Sequence, residues 1–219
     1  MQPQEYDAWY ATRRGRWIGE EEYRLLQSLL EPRAEETLLD VGCGTGWFTR
    51  RFATDDAGWV VGADIDLDMV RFATGHSSRG IGYVAADARR LPFRDESFDL
   101  VVSVTALCFV QDETEALAEM LRVARRRVVL GLLNRHSLLY LAKGRGGGRG
   151  AYRGARWHTA AEALRLFDGL PARRSGFGTA VVMSGGKCWS RRLEPRLHRW
   201  LPGFGAFIAT AADVSPHRI

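Results

Sequence analysis

Leu38-Leu39-Asp40-Val41-Gly42-Cys43-Gly44-Thr45-Gly46-Trp47 decides the fold of this 219-residue chain. Thr37 to Val41 reads as a short buried strand, and Trp47 to Ala53 as an amphipathic helix. Between them, glycine recurs at alternate positions. Gly42, Gly44 and Gly46 carry no Cβ, so the backbone there turns tightly and a ligand comes close. The helix that follows is expected to aim its free amides and positive dipole end back at this loop. A strand, a glycine loop and a helix in that order form a site for a nucleotide-like cofactor.

The pattern repeats outward from this stretch. Upstream, Tyr23, Leu25, Leu26, Leu29 and Leu30 lay an apolar stripe along a helix from Glu20 to Leu30, closed by Pro32. Downstream, Val60–Asp64 is a second strand, and Asp66 is the N-cap of a helix reaching about Thr74. Gly82–Ala85, Asp99–Val104 and Val128–Leu133 supply three more strands. Between the last two, Asp112 and Glu115 are placed as a capping box for a helix ending near Ala124. Apolar strands alternating with helices predict a parallel sheet covered on both faces. Beyond Asn134 the rhythm changes. Lys143 to Gly154 is rich in glycine and arginine and is expected to be a mobile, unpacked loop. Thr159 and Glu162 form a capping box for a helix to about Phe167, while Phe177–Met183 and Phe207–Thr210 are late antiparallel strands. The expected plan is one domain, 1–219: an N-terminal lid (1–30), a core (35–135), and a variable acceptor-side insertion with the last strands (136–219).

Composition narrows the classes. No run of eighteen uncharged apolar residues occurs, so no membrane span is expected. Met1 to Asp7 is polar and lacks a secretory core. Cys43, Cys108 and Cys188 lie too far apart for a zinc spacing or a disulfide framework, which fits a reducing cytoplasm and no metal. The overall charge of +5 hides an asymmetry: residues 1–140 hold 17 basic and 22 acidic side chains, and residues 141–219 hold 14 and 4. The basic tail fits an anionic partner or substrate. Because 29 of the 31 basic residues are arginine, arginine-rich coding alone is the competing explanation.

Four blocks in order give the chain a family resemblance. They are Leu39-Asp40-Val41-Gly42-Cys43-Gly44-Thr45-Gly46, Val61-Gly62-Ala63-Asp64-Ile65-Asp66, Ala86-Asp87-Ala88, and Leu91-Pro92-Phe93-Arg94-Asp95-Glu96-Ser97-Phe98-Asp99-Leu100-Val101. Over residues 35–135 the chain resembles the class I S-adenosylmethionine-dependent methyltransferases of the type 11 branch. That resemblance implies a Rossmann-like, doubly wound, mostly parallel seven-stranded sheet with an antiparallel edge strand. It implies S-adenosyl-L-methionine as cofactor and S-adenosyl-L-homocysteine as product. It also assigns residues: Asp40 to the cofactor's ammonium, Gly42, Cys43, Gly44 and Gly46 to its amino-acid end, Asp64 with Ile65 to the ribose side, Asp87 and the Ala88 amide to the adenine. Ser103, Val104 and Thr105 are expected to line the methyl-transfer cleft. The segment Tyr6-Asp7-Ala8-Trp9-Tyr10 resembles an aromatic lid, with Tyr10 as the expected contact; simple packing of Trp9 and Tyr10 on the core is the alternative. Asp99 reads as structural.

Methyl transfer from a sulfonium requires chiefly an aligned nucleophile, with a base needed only for a hydroxyl or protonated amine. His136 and His158 are the candidate bases, each with a solvated-loop role as the alternative. Cys108 reads as an apolar wall residue. Arg153, Arg156 and the 144–150 loop are candidates to bind a carboxylate or phosphate on the acceptor. Apolar Leu197, Trp200, Leu201, Phe204 and Phe207 either pack the last strands or side the acceptor pocket. The expected activity is methylation of a small-molecule acceptor by a monomer or homodimer. RNA or protein methylation, NAD-dependent redox chemistry and a non-catalytic cofactor-binding role stand as alternatives.

Overall fold

The computed structural model describes residues 2–53, 58–78, 80–183, 200 and 203–215. In chain order the elements are α1 (Pro3–Ala11), α2 (Arg13–Leu30), β1 (Leu38–Val41), α3 (Trp47–Phe52), β2 (Val60–Asp64), α4 (Leu67–Gly75), β3 (Ile81–Ala85), β4 (Phe98–Val104), α5 (Glu113–Val123), β5 (Ala124–Leu133), α6 (Ala160–Arg165), β6 (Ala172–Ala180) and β7 (Phe207–Val214). The strands form a seven-stranded sheet in the order β3-β2-β1-β4-β5-β7-β6. Strands β1 to β5 run parallel, so their carboxyl ends share one edge. At the far edge, antiparallel β7 pairs β5 on one side and the outermost β6 on the other.

Both faces of the sheet are covered. On one, Ile18, Tyr23, Leu26 and Leu30 of α2 and Phe48 and Phe52 of α3 pack on Leu38, Val60, Leu100 and Val102. On the other, Ala116, Leu117, Met120 and Leu121 of α5 with Ala163 and Phe167 cover Leu39, Val61, Val101 and Val128. The side chains of each strand therefore alternate between two separate cores, which explains the near-continuous apolar runs.

The helix termini follow local chemistry. Asp66 Oδ1 accepts from the amide of Asp68 at 2.9 Å, the cap expected for α4. Asp112 Oδ1 accepts from Glu115 N–H at 3.0 Å, and the full two-way capping box forms at Thr159 and Glu162. Helix α2 is longer than its apolar stripe suggests. Thr12, extended at ψ 152°, accepts from Gly15 N–H and starts a new helix against α1.

Two segments differ from the sequence expectation. Strand β6 begins at Ala172 rather than Phe177, because an outermost strand tolerates exposed Arg173, Arg174 and Ser175. The stretch 143–154 is a chain of tight turns packed at two points. Gly144 is buried against Tyr140 and Trp157, and the half-buried Tyr152 ring lies 5.5 Å from Trp157. Its bulky residues, not its glycines, decide its placement. Cys188, Leu197 and Leu201 lie outside the described residues.

The run Arg125-Arg126-Arg127 at the start of β5 ties three elements together. Arg125 bonds Asp99 and, at 2.8 Å, the carbonyl of Glu96. Arg126 holds Glu36 through two bonds of 2.6 and 2.7 Å and also donates to the Glu31 carbonyl. Arg127 joins Asp213 at 2.7 Å and donates to Leu29 O at 2.9 Å. The last carbonyls of α2 are thus capped from the sheet, as a helix end requires. Asp99 also accepts from Thr37 at 2.9 and 2.8 Å, the structural role its position suggested.

Candidate active site

The glycine loop is held from beneath by β2. The amides of Gly42 and Cys43 both donate to Ala63 O, at 2.7 and 3.0 Å, and Gly44 N–H donates to Asp64 Oδ2 at 2.7 Å. Gly46 N–H turns back to Cys43 O. Four amides expected to face a ligand are therefore used inside the protein, and α3 is a helix of only six residues. The loop contributes closeness instead. Gly42 has φ 77°, and a Cβ there would lie 2.0 Å from the Ala106 Cβ. At Gly44, φ 53°, the nearest atom to such a Cβ is Tyr6 Cε1 at 3.8 Å, so open space begins there. Gly46 packs against Tyr83 and Ala73, and Cys43 is buried with its thiol toward Gly44 O.

A pocket of about 560 Å³ opens at the carboxyl ends of the parallel strands. Val41 and Gly42, Asp64 and Ile65, Ala86 to Arg89, and Ser103 to Leu107 line it, with Tyr6 from α1 across the mouth. This is where an open α/β sheet binds ligands. Of the residues singled out in the sequence, Gly42, Asp64, Ile65, Asp87, Ala88, Val104 and Thr105 reach the pocket, as does Ser103. Tyr10 does not. Its ring is buried in a stack on Trp47, with centroids 4.4 Å apart, and its hydroxyl meets that of Tyr6 at 3.4 Å. Tyr6, one helical turn earlier, takes the position expected of Tyr10, because residues i and i+4 share a helix face.

The acids differ in their surroundings. Asp40 is buried at the end of β1. Thr49 Oγ1 donates to its Oδ2 at 2.6 Å, while Oδ1 has no hydrogen-bond partner among the described residues. Burial, with the charge of Asp64 adding to it, raises its pKa to about 7 despite the Thr49 bond. Burial also raises the pKa of Asp64, which accepts from Gly44 N–H and, through Oδ1, from Asp66 N–H at 2.9 Å. Asp87 is the opposite case. Arg89 chelates it through Nε and Nη2, the latter at 2.6 Å, and holds its pKa down at about 2. Thr105 sits at φ 57°, a strained conformation for a β-branched residue, fixed by its amide bond to Gly131 O at 2.8 Å.

Neither candidate histidine reaches this pocket. His136 is exposed beyond β5, its amide bonded to Asn134 Oδ1. His158 is 2% exposed, with Nε2 2.9 Å from the buried Glu113 carboxylate though without hydrogen-bond alignment, and Arg156 reaches the same carboxylate at 3.2 Å. That trio fastens the 134–158 segment to α5. Cys108 is a buried wall residue, its thiol pushed up to about 12 by burial. Arg153 and Arg156 are exposed and line no part of the pocket. Among the described residues no group of three His, Cys, Asp or Glu is placed to hold a metal.

One acid escaped the reading of the sequence. Glu22 sits one turn from both Ile18 and Leu26 on the inward stripe of α2, half-buried, and burial raises its pKa to about 8. An acid at i+4 from one core residue and i−4 from another was the available signal.

A family model described as "Methyltransferase domain" matches residues 39–131. An uncharacterised protein of Mycobacterium tuberculosis is 36% identical over 166 residues, 74% of this chain and 55% of its own length. A demethylmenaquinone methyltransferase of Thermobifida fusca is 36% identical over 118 residues, 49% of this chain and 48% of its own. The chain spans about half the length of the curated relatives it matches. Among solved structures, a Thermotoga maritima S-adenosylmethionine-dependent methyltransferase, described as a possible histamine N-methyltransferase, superposes with TM-score 0.75 at 24% identity, covering 96% of this chain and 94% of that one. Magnesium protoporphyrin IX methyltransferase of Synechocystis, with bound S-adenosylhomocysteine, gives 0.65 at 16% identity over 98% and 96%. These likenesses carry the same fold. Residues 39–131 thus match a methyltransferase domain, on the fold that these S-adenosylmethionine-dependent methyltransferases share.

Proposed function

We propose that the chain transfers the methyl group of S-adenosylmethionine to a small-molecule acceptor. The observation that carries this reading is a pair of repelling, desolvated acids, Asp40 and Asp64, with no basic side chain bonded to either among the described residues. Acids of that kind suit a ligand that brings its own positive charge. The free Oδ1 of Asp40 suits an ammonium group, and the open space at Gly44 suits the chain that carries it. Asp64, at the end of β2, has lone pairs left for two ribose hydroxyls. Asp87 and the Ala88 amide serve the adenine edge, and Ile65, 70% exposed, covers one face of it. Tyr6 excludes water over Gly44.

The bound cofactor supplies a sulfonium-activated methyl group. The protein's part is to hold the acceptor in line and keep water out, the two contributions this chemistry needs most. The core 35–135 then serves the cofactor, and the lid with residues 136–219 frames the acceptor, all in one domain. The relatives that act on quinone precursors support a small acceptor, and the soluble-type composition supports a cytoplasmic setting.

Calorimetric titration with S-adenosylmethionine and, separately, NADH tests this. Micromolar binding of the first alone is expected. Binding of NADH, or no binding of S-adenosylmethionine, overturns the reading; tight, salt-dependent RNA binding would shift the acceptor class.

A further inference from the structure

The exposed apolar side chains of this protein are not scattered. Six of the nine large ones most open to solvent among the described residues lie at the carboxyl edge of the parallel strands, where the pocket opens. Ile65 and Leu67 follow β2, Phe109 follows β4, Leu138 and Leu141 follow β5, and Phe204 precedes β7. Each is about half exposed or more. Leu138 and Leu141 stand three residues apart on a helical turn, so they share a side of it. Asn134 Nδ2 donates to the carbonyls of Gly203 and Gly205, at 2.8 and 2.7 Å, which sets Phe204 beside the start of that turn. Apolar residues exposed singly are ordinary; a rim of them around a pocket marks a surface that something covers.

A patch of positive charge adjoins the rim. No acidic residue occurs between Glu119 and Glu162. Within that stretch Lys143, Arg145, Arg149 and Arg153 are exposed, and among the described residues none of them has an acidic partner. They are gathered rather than strung out. Arg149 N–H donates to Lys143 O at 3.0 Å and Gly154 N–H to Gly147 O at 2.9 Å, so the stretch folds back on itself. Arg156 N–H donates to Cys108 O at 2.7 Å, which ties the same segment to the residue before Phe109 at the pocket mouth.

We infer that this edge docks on an anionic membrane surface. The cations of the 143–153 turns lie among the lipid phosphates, and Leu138, Leu141 and Phe204 enter the outer acyl layer. Cations alone fit any polyanion. Exposed leucines beside them fit lipid, which gains from each apolar group buried at the headgroup boundary and from each cation near the surface. A nucleic acid instead calls for aromatic platforms on which its bases stack. The attachment is peripheral, because no helix of the described residues is long and apolar enough to cross a membrane. In this pose the pocket mouth faces the bilayer. Docking needs no cofactor, so the inference goes beyond the methyl-transfer reading and stands without it.

Flotation of the full chain with two kinds of vesicle tests this: phosphatidylcholine alone, and phosphatidylcholine with about one third phosphatidylglycerol. At about 0.05 M salt the chain should float with the anionic vesicles only, and about 0.5 M salt should release it. Each cation near the surface contributes about fivefold to partitioning, so replacing Lys143, Arg145, Arg149 and Arg153 together by Gln should lower it by about a hundredfold or more. Leu138→Gln with Leu141→Gln leaves every charge in place and should lower it about tenfold. A melting temperature equal to that of the unmutated chain shows that each variant is folded, and the comparison of the two vesicles needs no variant. Equal flotation with both vesicles, flotation with neither at the lower salt, or partitioning that survives the leucine changes would overturn the inference. So would tighter binding to a single-stranded polyuridylate probe than to the anionic vesicles, which would make the partner a nucleic acid.

Discussion

Cofactor affinity should depend on pH through Asp40, and the size of the effect follows from its surroundings. The carboxyl is buried, repelled by Asp64 and steadied only by Thr49, so without cofactor it titrates near 7. An ammonium group binds the ionised form. At pH 6 about one molecule in ten has Asp40 ionised, so affinity for S-adenosylhomocysteine should fall about tenfold below its plateau, a loss of about 1.4 kcal/mol. Calorimetry at pH 6 in two buffers of different ionisation heat should detect release of close to one proton per cofactor bound. Asp40→Asn should bind weakly and without that slope. The same shift acts on folding in the opposite sense. A folded-state pKa above the unfolded value means that stability is full below about pH 4 and is lost as pH rises through about 7. The melting temperature of the cofactor-free protein should therefore decline across that window, and less so in Asp40→Asn. A flat binding profile between pH 6 and 7.5, or a slope that survives Asp40→Asn, would refute the assignment of the ammonium to this carboxyl.

Other perturbations test neighbouring parts. Asp64→Ala removes both the expected ribose acceptor and the partner of Gly44 N–H, so cofactor affinity should drop by about 1–3 kcal/mol in a folded protein, measured by calorimetry. Gly44→Val places a branched side chain in the space under Tyr6 at φ 53°, and S-adenosylmethionine binding should be lost in the same titration. Gly131→Ala sets a methyl 2.3 Å from the Phe207 ring between β5 and β7, which should cost about 1–3 kcal/mol in urea unfolding.

Much of this molecule is written in local signals. The glycine loop, the Asp66 and Thr159 caps and the apolar strands are decided within a few residues of themselves, and they appear where spacing puts them. The lid residue was legible only to within one turn. Tyr6 and Tyr10 share a face of α1, and which of them meets the pocket depends on Trp47, forty-one and thirty-seven positions away, stacking on Tyr10. The candidate bases failed for a similar reason. Chain position puts His136 and His158 near the ligand edge, but a remote acid, Glu113, takes His158 into the protein interior. The amides of the glycine loop look free in sequence because their acceptors, Ala63 O and Asp64, belong to the next strand. Glu22 is hidden in the sequence among the apolar members of the Glu20–Leu30 stripe, and only the packing of α2 shows it half-buried.

The arginine clamp at the start of β5 bears on how such a pocket opens. Arg126 and Arg127 grip the carboxyl-terminal turn of α2, so the rod cannot move without the sheet. That rod is thereby fixed to the sheet. Helix α1 is joined to that rod through one extended residue, Thr12, and is latched to the body by Asp7 on Arg50 at 2.9 Å and by the Tyr10–Trp47 stack. Tyr6 is thus held over the glycine loop by contacts to α3, while the arginines hold the end of α2. The lid helix and the rod behind it are neighbours in sequence, yet they are fastened to different parts of the body: α1 to α3, and the end of α2 to the sheet.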